Sequence, residues 1–125
     1  MAFVKFTREE FEDRFGIDLE SVIHDDNEAN KVERAIDDVT EQIQEYIIGE
    51  MGYYDFDNIS INQQTYINRA CMEQLKYRLT NGDLSRESGI DAFNQTMVDY
   101  SQLRTRVIAP RAKSILNNHI ITKGY

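Results

Sequence analysis

The stretch Glu28-Ala29-Asn30-Lys31-Val32-Glu33-Arg34-Ala35-Ile36-Asp37-Asp38-Val39-Thr40-Glu41-Gln42-Ile43-Gln44-Glu45-Tyr46-Ile47-Ile48 decides how this chain is read. Val32, Ile36, Val39, Ile43 and Ile47 recur at steps of four, three, four and four residues, and the positions between them are almost all charged or polar. That spacing puts the aliphatic side chains on one stripe of a helix and the charges on the other. It predicts a helix over 28–48, roughly 30 Å long at ~1.5 Å per residue. Asp25, Asp26 and Glu28 stand at its start, where the helix dipole favours negative charge, and Gly49 and Gly52 are expected to end it.

Toward the N-terminus, Thr7-Arg8-Glu9-Glu10 has the form of a capping box, with Phe6 and Phe11 spaced as a hydrophobic staple. A short helix over 8–15 follows, with Phe11 and Phe15 on one face and Gly16 as its stop. Residues 17–26 mix apolar Ile17, Leu19, Val22 and Ile23 with a polar His24-Asp25-Asp26-Asn27 turn, and do not declare a type.

Toward the C-terminus, residues 49–61 are irregular and concentrate Tyr53, Tyr54 and Phe56. Asn62 is expected to cap a helix over 63–80, where Ile67, Cys71, Leu75 and Leu79 repeat every fourth residue. Asn81-Gly82 should stop it. A helix over 90–108 carries the stripe Phe93, Met97, Tyr100, Leu103 (or Arg104) and Val107. Pro110 breaks it and is well placed as the first residue of a last helix over 110–118, which Asn117-Asn118 should close. The expected fold is all-α. It is a small bundle of about four to five helices, with a helical domain at 1–118 and an extended C-terminal tail at 119–125.

Composition fits a helical domain. The chain has 125 residues with a single Pro, a single Cys, and 22 acidic against 14 basic side chains, a net charge of −8. A domain of this size can bury about two-thirds of its unfolded surface and needs no cross-link. One cysteine, Cys71, excludes an internal disulfide and a thiolate metal cluster. The acidic balance disfavours phosphate-backbone and anionic-membrane binding. No apolar run approaches the roughly 20 residues of a spanning helix, and the first residues lack the apolar core of a signal peptide.

Few groups suggest chemistry. Asp37, Glu41 and Glu45 share a helix face but lie off the apolar stripe, and no Glu-x-x-His accompanies them, so a solvated face is expected rather than a metal site. The Asp-rich stretches at 25–28 and 55–58 lack the Gly and Glu that a calcium loop requires at its sixth and twelfth positions. Cys71 sits on a core stripe and reads as a small buried hydrophobe. His24 and His119 read as solvated loop residues. No phosphate-binding Gly loop, nucleophile elbow or zinc spacing occurs, so neither catalysis nor a cofactor is expected.

Interaction signals are stronger. Tyr53, Tyr54 and Phe56 read either as packing under the loop or as a protein contact, since such residues are enriched at interface cores. The β-prone Ile120-Ile121-Thr122 has no evident partner strand, so the tail is expected to be disordered or to join another subunit. Charge is divided along the chain. Residues 1–60 carry net −12 and residues 61–125 net +4, and from Arg104 onward there are five bases and no acid. The halves either neutralise each other within one subunit or meet between copies, a heterologous contact of the kind that builds rings.

Several of these features together resemble the head-to-tail connector (adaptor) proteins of tailed bacteriophages. They are the long acidic helix from Glu28 to Ile48, the segment Ala70-Cys71-Met72-Glu73-Gln74-Leu75-Lys76-Tyr77-Arg78-Leu79 with Asn81-Gly82-Asp83, then Ser88-Gly89, and the closing Ala109-Pro110-Arg111-Ala112-Lys113-Ser114-Ile115-Leu116. The resemblance spans roughly residues 5–118 and is one of helix order and length. Asn117-Asn118-His119 departs from the Gly-containing ending usual in that family.

The resemblance implies a structural virion protein of the neck. It would form a homo-oligomeric ring, usually twelvefold, with the portal protein on one side and the next neck or tail-completion protein on the other. Genomic DNA would pass through the channel without specific binding. The expected contact residues are Arg104, Arg106, Arg111 and Lys113, the tail residues Ile120, Ile121, Thr122, Lys123 and Tyr125, and the loop residues Tyr53, Tyr54 and Phe56. A different reading of the same acidity is a small DNA mimic or inhibitor of a DNA-binding enzyme.

Overall fold

The computed structural model of the protein describes residues 3–23, 30–81 and 108–121. Among them are five helices and no strand: α1 (Arg8–Phe15), α2 (Leu19–Val22), α3 (Lys31–Met51), α4 (Ile61–Asn81) and α5 (Pro110–His119). The all-α expectation holds. The expected helix over 90–108 lies outside the described residues except for Ile108, which is not helical. Ile108 and Ala109 are buried and lead into Pro110, whose ring disfavours a helical residue before it.

The N-terminal helix forms as its sequence dictates. The Glu10 N–H donates to Thr7 Oγ1 at 3.1 Å, and the Thr7 N–H donates to Glu10 Oε1 at 2.9 Å. Phe6 lies 6.3 Å from Phe11, closing the staple. Gly16 adopts φ 68°, the left-handed conformation, and its N–H caps Glu12. The undeclared 17–26 region contains the single turn α2, with Asp18 accepting from the Glu20 N–H. Leu19 and Ile23 drop into the core from it.

Several boundaries differ from expectation: α3 begins at Lys31, after a left-handed Asn30, and α5 ends at His119. α3 runs to Met51, because Gly49 stays helical and Gly52, at φ 82°, is the stop. α4 starts at Ile61, ahead of Asn62. Ser60 and Gln63 form the reciprocal box there: the Gln63 N–H donates to Ser60 Oγ at 3.1 Å and the Ser60 N–H to Gln63 Oε1 at 2.9 Å.

α4 is the central helix, packed against both α3 and α5. α3 buries one stripe: Val32, Ile36, Val39, Ile43 and Ile47 are all at most 6% exposed. α4 buries Ile67, Ala70, Cys71, Met72, Leu75 and Leu79, and also Glu73, Gln74 and Arg78. A helix with neighbours on two sides must bury polar positions, and each needs a partner. Gln74, fully buried, donates to Gln42 Oε1 of α3 at 3.1 Å and accepts from the Ala109 N–H at 2.7 Å. One amide thus joins three chain segments and satisfies the buried N–H that precedes Pro110.

The N-terminal arm is held in a comparable way. Gln64 accepts from the Val4 N–H and donates to the Val4 carbonyl, which Asn68 also engages. Phe3 meets Phe56 edge-on at 6.2 Å.

Candidate protein interface

Charge is sorted by helix. On α3 the side chains of Glu33, Asp37, Asp38, Glu41 and Glu45 are exposed, opposite the aliphatic stripe. This is the solvated acidic face its periodicity implies, and Lys5 pairs with Asp37 on it. On α5 the exposed charged side chains of Arg111 and Lys113 face no acid of their own helix. Arg111 reaches Glu73 of α4 at 3.5 Å. The Glu73 side chain is 8% exposed and that of Arg111 is 82% exposed, so the carboxylate is sunk while the guanidinium stands at the surface.

Between α4 and the start of α5 runs a groove of about 160 Å³. Glu73, Lys76, Tyr77 and Thr80 form one wall, and Ala109, Pro110 and Arg111 the other. The Lys76 ammonium lies 4.8 Å from the centre of the Phe15 ring, a cation–π contact that holds it at this surface.

The aromatic loop divides in two. Tyr54 and Phe56 are half-buried, their rings 4.9 Å apart, and pack on the core. Tyr53 is 73% exposed. Packing under the loop therefore accounts for Tyr54 and Phe56, and only Tyr53 is presented outward. The Tyr54 hydroxyl is buried with no hydrogen-bond partner among the described residues, and burial raises its pKa.

The tail requires a correction. α5 runs through Asn117 and Asn118 to His119, whose ring stacks on Tyr66 with centroids 3.8 Å apart. Ile120 and Ile121 are 4% and 5% exposed, and both of their N–H groups donate to the Leu116 carbonyl. They belong to the core of their own subunit, so neither is a free β-prone segment, and the helical domain extends at least to Ile121. Apolar residues just past a helix end are drawn inward when the chain turns back over the core. Thr122, Lys123 and Tyr125 lie outside the described residues, as do Arg104, Arg106 and His24.

Cys71 is fully buried. Burial pushes its thiol up to about 12, the hydrogen bond with the Thr40 side chain offsetting only part of the rise. Among the described residues no three His, Cys, Asp or Glu side chains gather to hold a metal ion, and no helix is long and apolar enough to cross a membrane.

Sequence reasoning missed the groove and the Gln74 junction. Gln74 stands one residue before Leu75 with no apolar signal, and Ala109 is 35 residues away. Compared with models of known protein families, with characterised proteins and with solved structures, the chain matches none.

Proposed function

We propose that the chain is a non-catalytic structural subunit of a phage head–tail connector, a ring between the portal and the next neck component with the genome passing through its lumen. The observation that carries this reading is the division of charge between two helices packed on α4: exposed carboxylates on α3, exposed cations on α5. A subunit with unlike faces can bind its own copies head to tail, and such contacts form a ring when the rotation between copies closes. An acidic lumen repels phosphate and lets DNA slide. The resemblance in helix order supports the same assignment and supplies the portal and neck partners. Arg104, Arg106 and Lys123 add further bases to the C-terminal sequence, outside the described residues.

Cryo-EM of the head–tail junction, in tailed particles made by the genome that encodes this chain, tests the reading. A ring of this fold beneath the portal is the expected result. A junction fully accounted for by other chains overturns it. The exposed row Asp37, Glu41 and Glu45, stepping one helical turn at a time, favours DNA mimicry as the second reading. That reading requires the isolated chain to compete with DNA for a basic enzyme in a salt-sensitive way.

A further inference from the structure

We infer that Tyr53 of one copy inserts into the groove between α4 and α5 of the next, so that the 52–60 loop and this groove are the two halves of the subunit contact. The inference rests on the connector reading for its ring but not for its geometry.

The two surfaces match in shape and charge. Tyr53 is the most exposed large apolar side chain of the described residues, at 73%. It sits on a loop whose neighbours Tyr54 and Phe56 are fixed against the core, so the loop is braced and little ordering entropy is lost on binding. Ile61 and Ile48, also exposed, lie beyond the two ends of the same loop, and exposed Glu50, Asp55 and Asp57 surround it. An apolar centre with a charged rim is the usual anatomy of a protein contact.

The groove is the complement. Its volume of about 160 Å³ is of the order of one aromatic side chain. Pro110 and Tyr77 give it apolar walls, Lys76 and Arg111 stand on it, and the single acid of its lining, Glu73, is sunk beneath Arg111, with Lys113 exposed further along α5, so cations outnumber acids there. A tyrosine ring between a proline and a guanidinium gains apolar burial and a cation–π contact together. Asp55 and Asp57 would meet Arg111 and Lys113. An aromatic anchor in a pocket is the commonest form of an interface hot spot. The contact joins two different patches, so it propagates from copy to copy.

The test needs no preformed ring. A nitroxide is attached to an unlabelled Lys113→Cys variant, the native Cys71 being buried and unreactive, and mixed with ¹⁵N-labelled wild-type chain at high concentration. Selective broadening of amides in residues 52–60, lost in labelled Tyr53→Ala and weakened by salt, is the expected result. Absence of broadening there, broadening elsewhere only, or broadening that survives Tyr53→Ala overturns the inference. The junction map decides the connector reading separately. A contact seen in solution by a chain absent from the neck would leave the inference standing and the function refuted.

Discussion

The 52–60 loop and the segment that closes α5 look alike as sequence. Each is short, irregular and apolar, and each lies next to charged residues. The fold treats them oppositely. The loop keeps Tyr54 and Phe56 on the core and lifts Tyr53 to 73% exposure, whereas the end of α5 buries both Ile120 and Ile121. The difference lies in what stands behind each segment. The loop spans a helix–helix connection whose core side two aromatics already fill. The closing segment bonds back to the Leu116 carbonyl and places both isoleucines in the core cluster. Apolar character therefore marks a segment for burial somewhere, and the local supply of core surface decides whether that is in its own subunit.

The sharpest way to break this comparison is truncation. Ending the chain after Asn118 removes two buried isoleucines, each contributing about 1.5–3 kcal/mol, so the loss should be about 3–6 kcal/mol. Ending it after Ile121 keeps both isoleucines and should keep their contribution of about 3–6 kcal/mol to the unfolding free energy measured in urea. Equal destabilisation by both truncations would show that the anchoring residues lie beyond Ile121. Leu75→Ala, at a fully buried position of α4, should cost about 2–5 kcal/mol in the same assay and calibrates the scale.

The next effect in size is at Gln74. Gln74→Leu keeps the volume but strands the Ala109 N–H and removes the hydrogen bond to Gln42, and should cost about 1–3 kcal/mol. Faster hydrogen exchange at Ala109 would locate the damage at the junction. A variant as stable as wild type would show that the junction is not a buried one.

Cys71 gives a pH signature. Its thiol rises from 9.0 to about 12 on folding. Stability from this group is therefore complete below pH 9 and is lost as pH climbs from 9 toward 12, because the unfolded thiol ionises first. Cys71→Ala should flatten that part of the stability profile. A thiol reagent at pH 8 should label the native chain only as fast as it opens, and rapid labelling of the folded protein would contradict the burial of Cys71.

Tyr53→Ala is the smallest change for the monomer, within about 0.5 kcal/mol, as for a surface residue. It is also the one that should abolish the contact between copies. A large loss of monomer stability at Tyr53 would mean that the loop behaves like the end of α5 after all.

How much of this was legible follows the same logic. The 8–15 helix could be read to the residue because its cap, staple and glycine stop are local chemistry. The α3 stripe was legible because that helix has one buried side. α4 was half legible: Ile67, Cys71, Leu75 and Leu79 announced one face, but Glu73, Gln74 and Arg78 are buried too, and the partners of Glu73 and Gln74, namely Arg111, Gln42 and Ala109, are distant in sequence. Its start was misplaced because Asn62 and Ser60 are both good caps, and the reciprocal Gln63 settles which one acts. Of the candidate contact residues, Tyr53, Arg111 and Lys113 are exposed, while Ile120 and Ile121 are not. The β-prone residue types of 120–122 carry no information about a helix end folding inward.

The hold of Gln64 on Val4 bears on the order of folding. A single carboxamide takes the place of a neighbouring strand, meeting both the N–H and the carbonyl of a residue 60 positions earlier. It can act only after α4 has formed and come to lie beside the arm, since a free chain seldom closes so long a loop early. Val4 itself is 63% exposed, so the apolar backing of the closure comes from its neighbours, Phe3 against Phe56 and the buried Phe6. The arm should be the last part of the subunit to lock and the first to open. Exchange at the Val4 amide then reports the completeness of the fold from its far end.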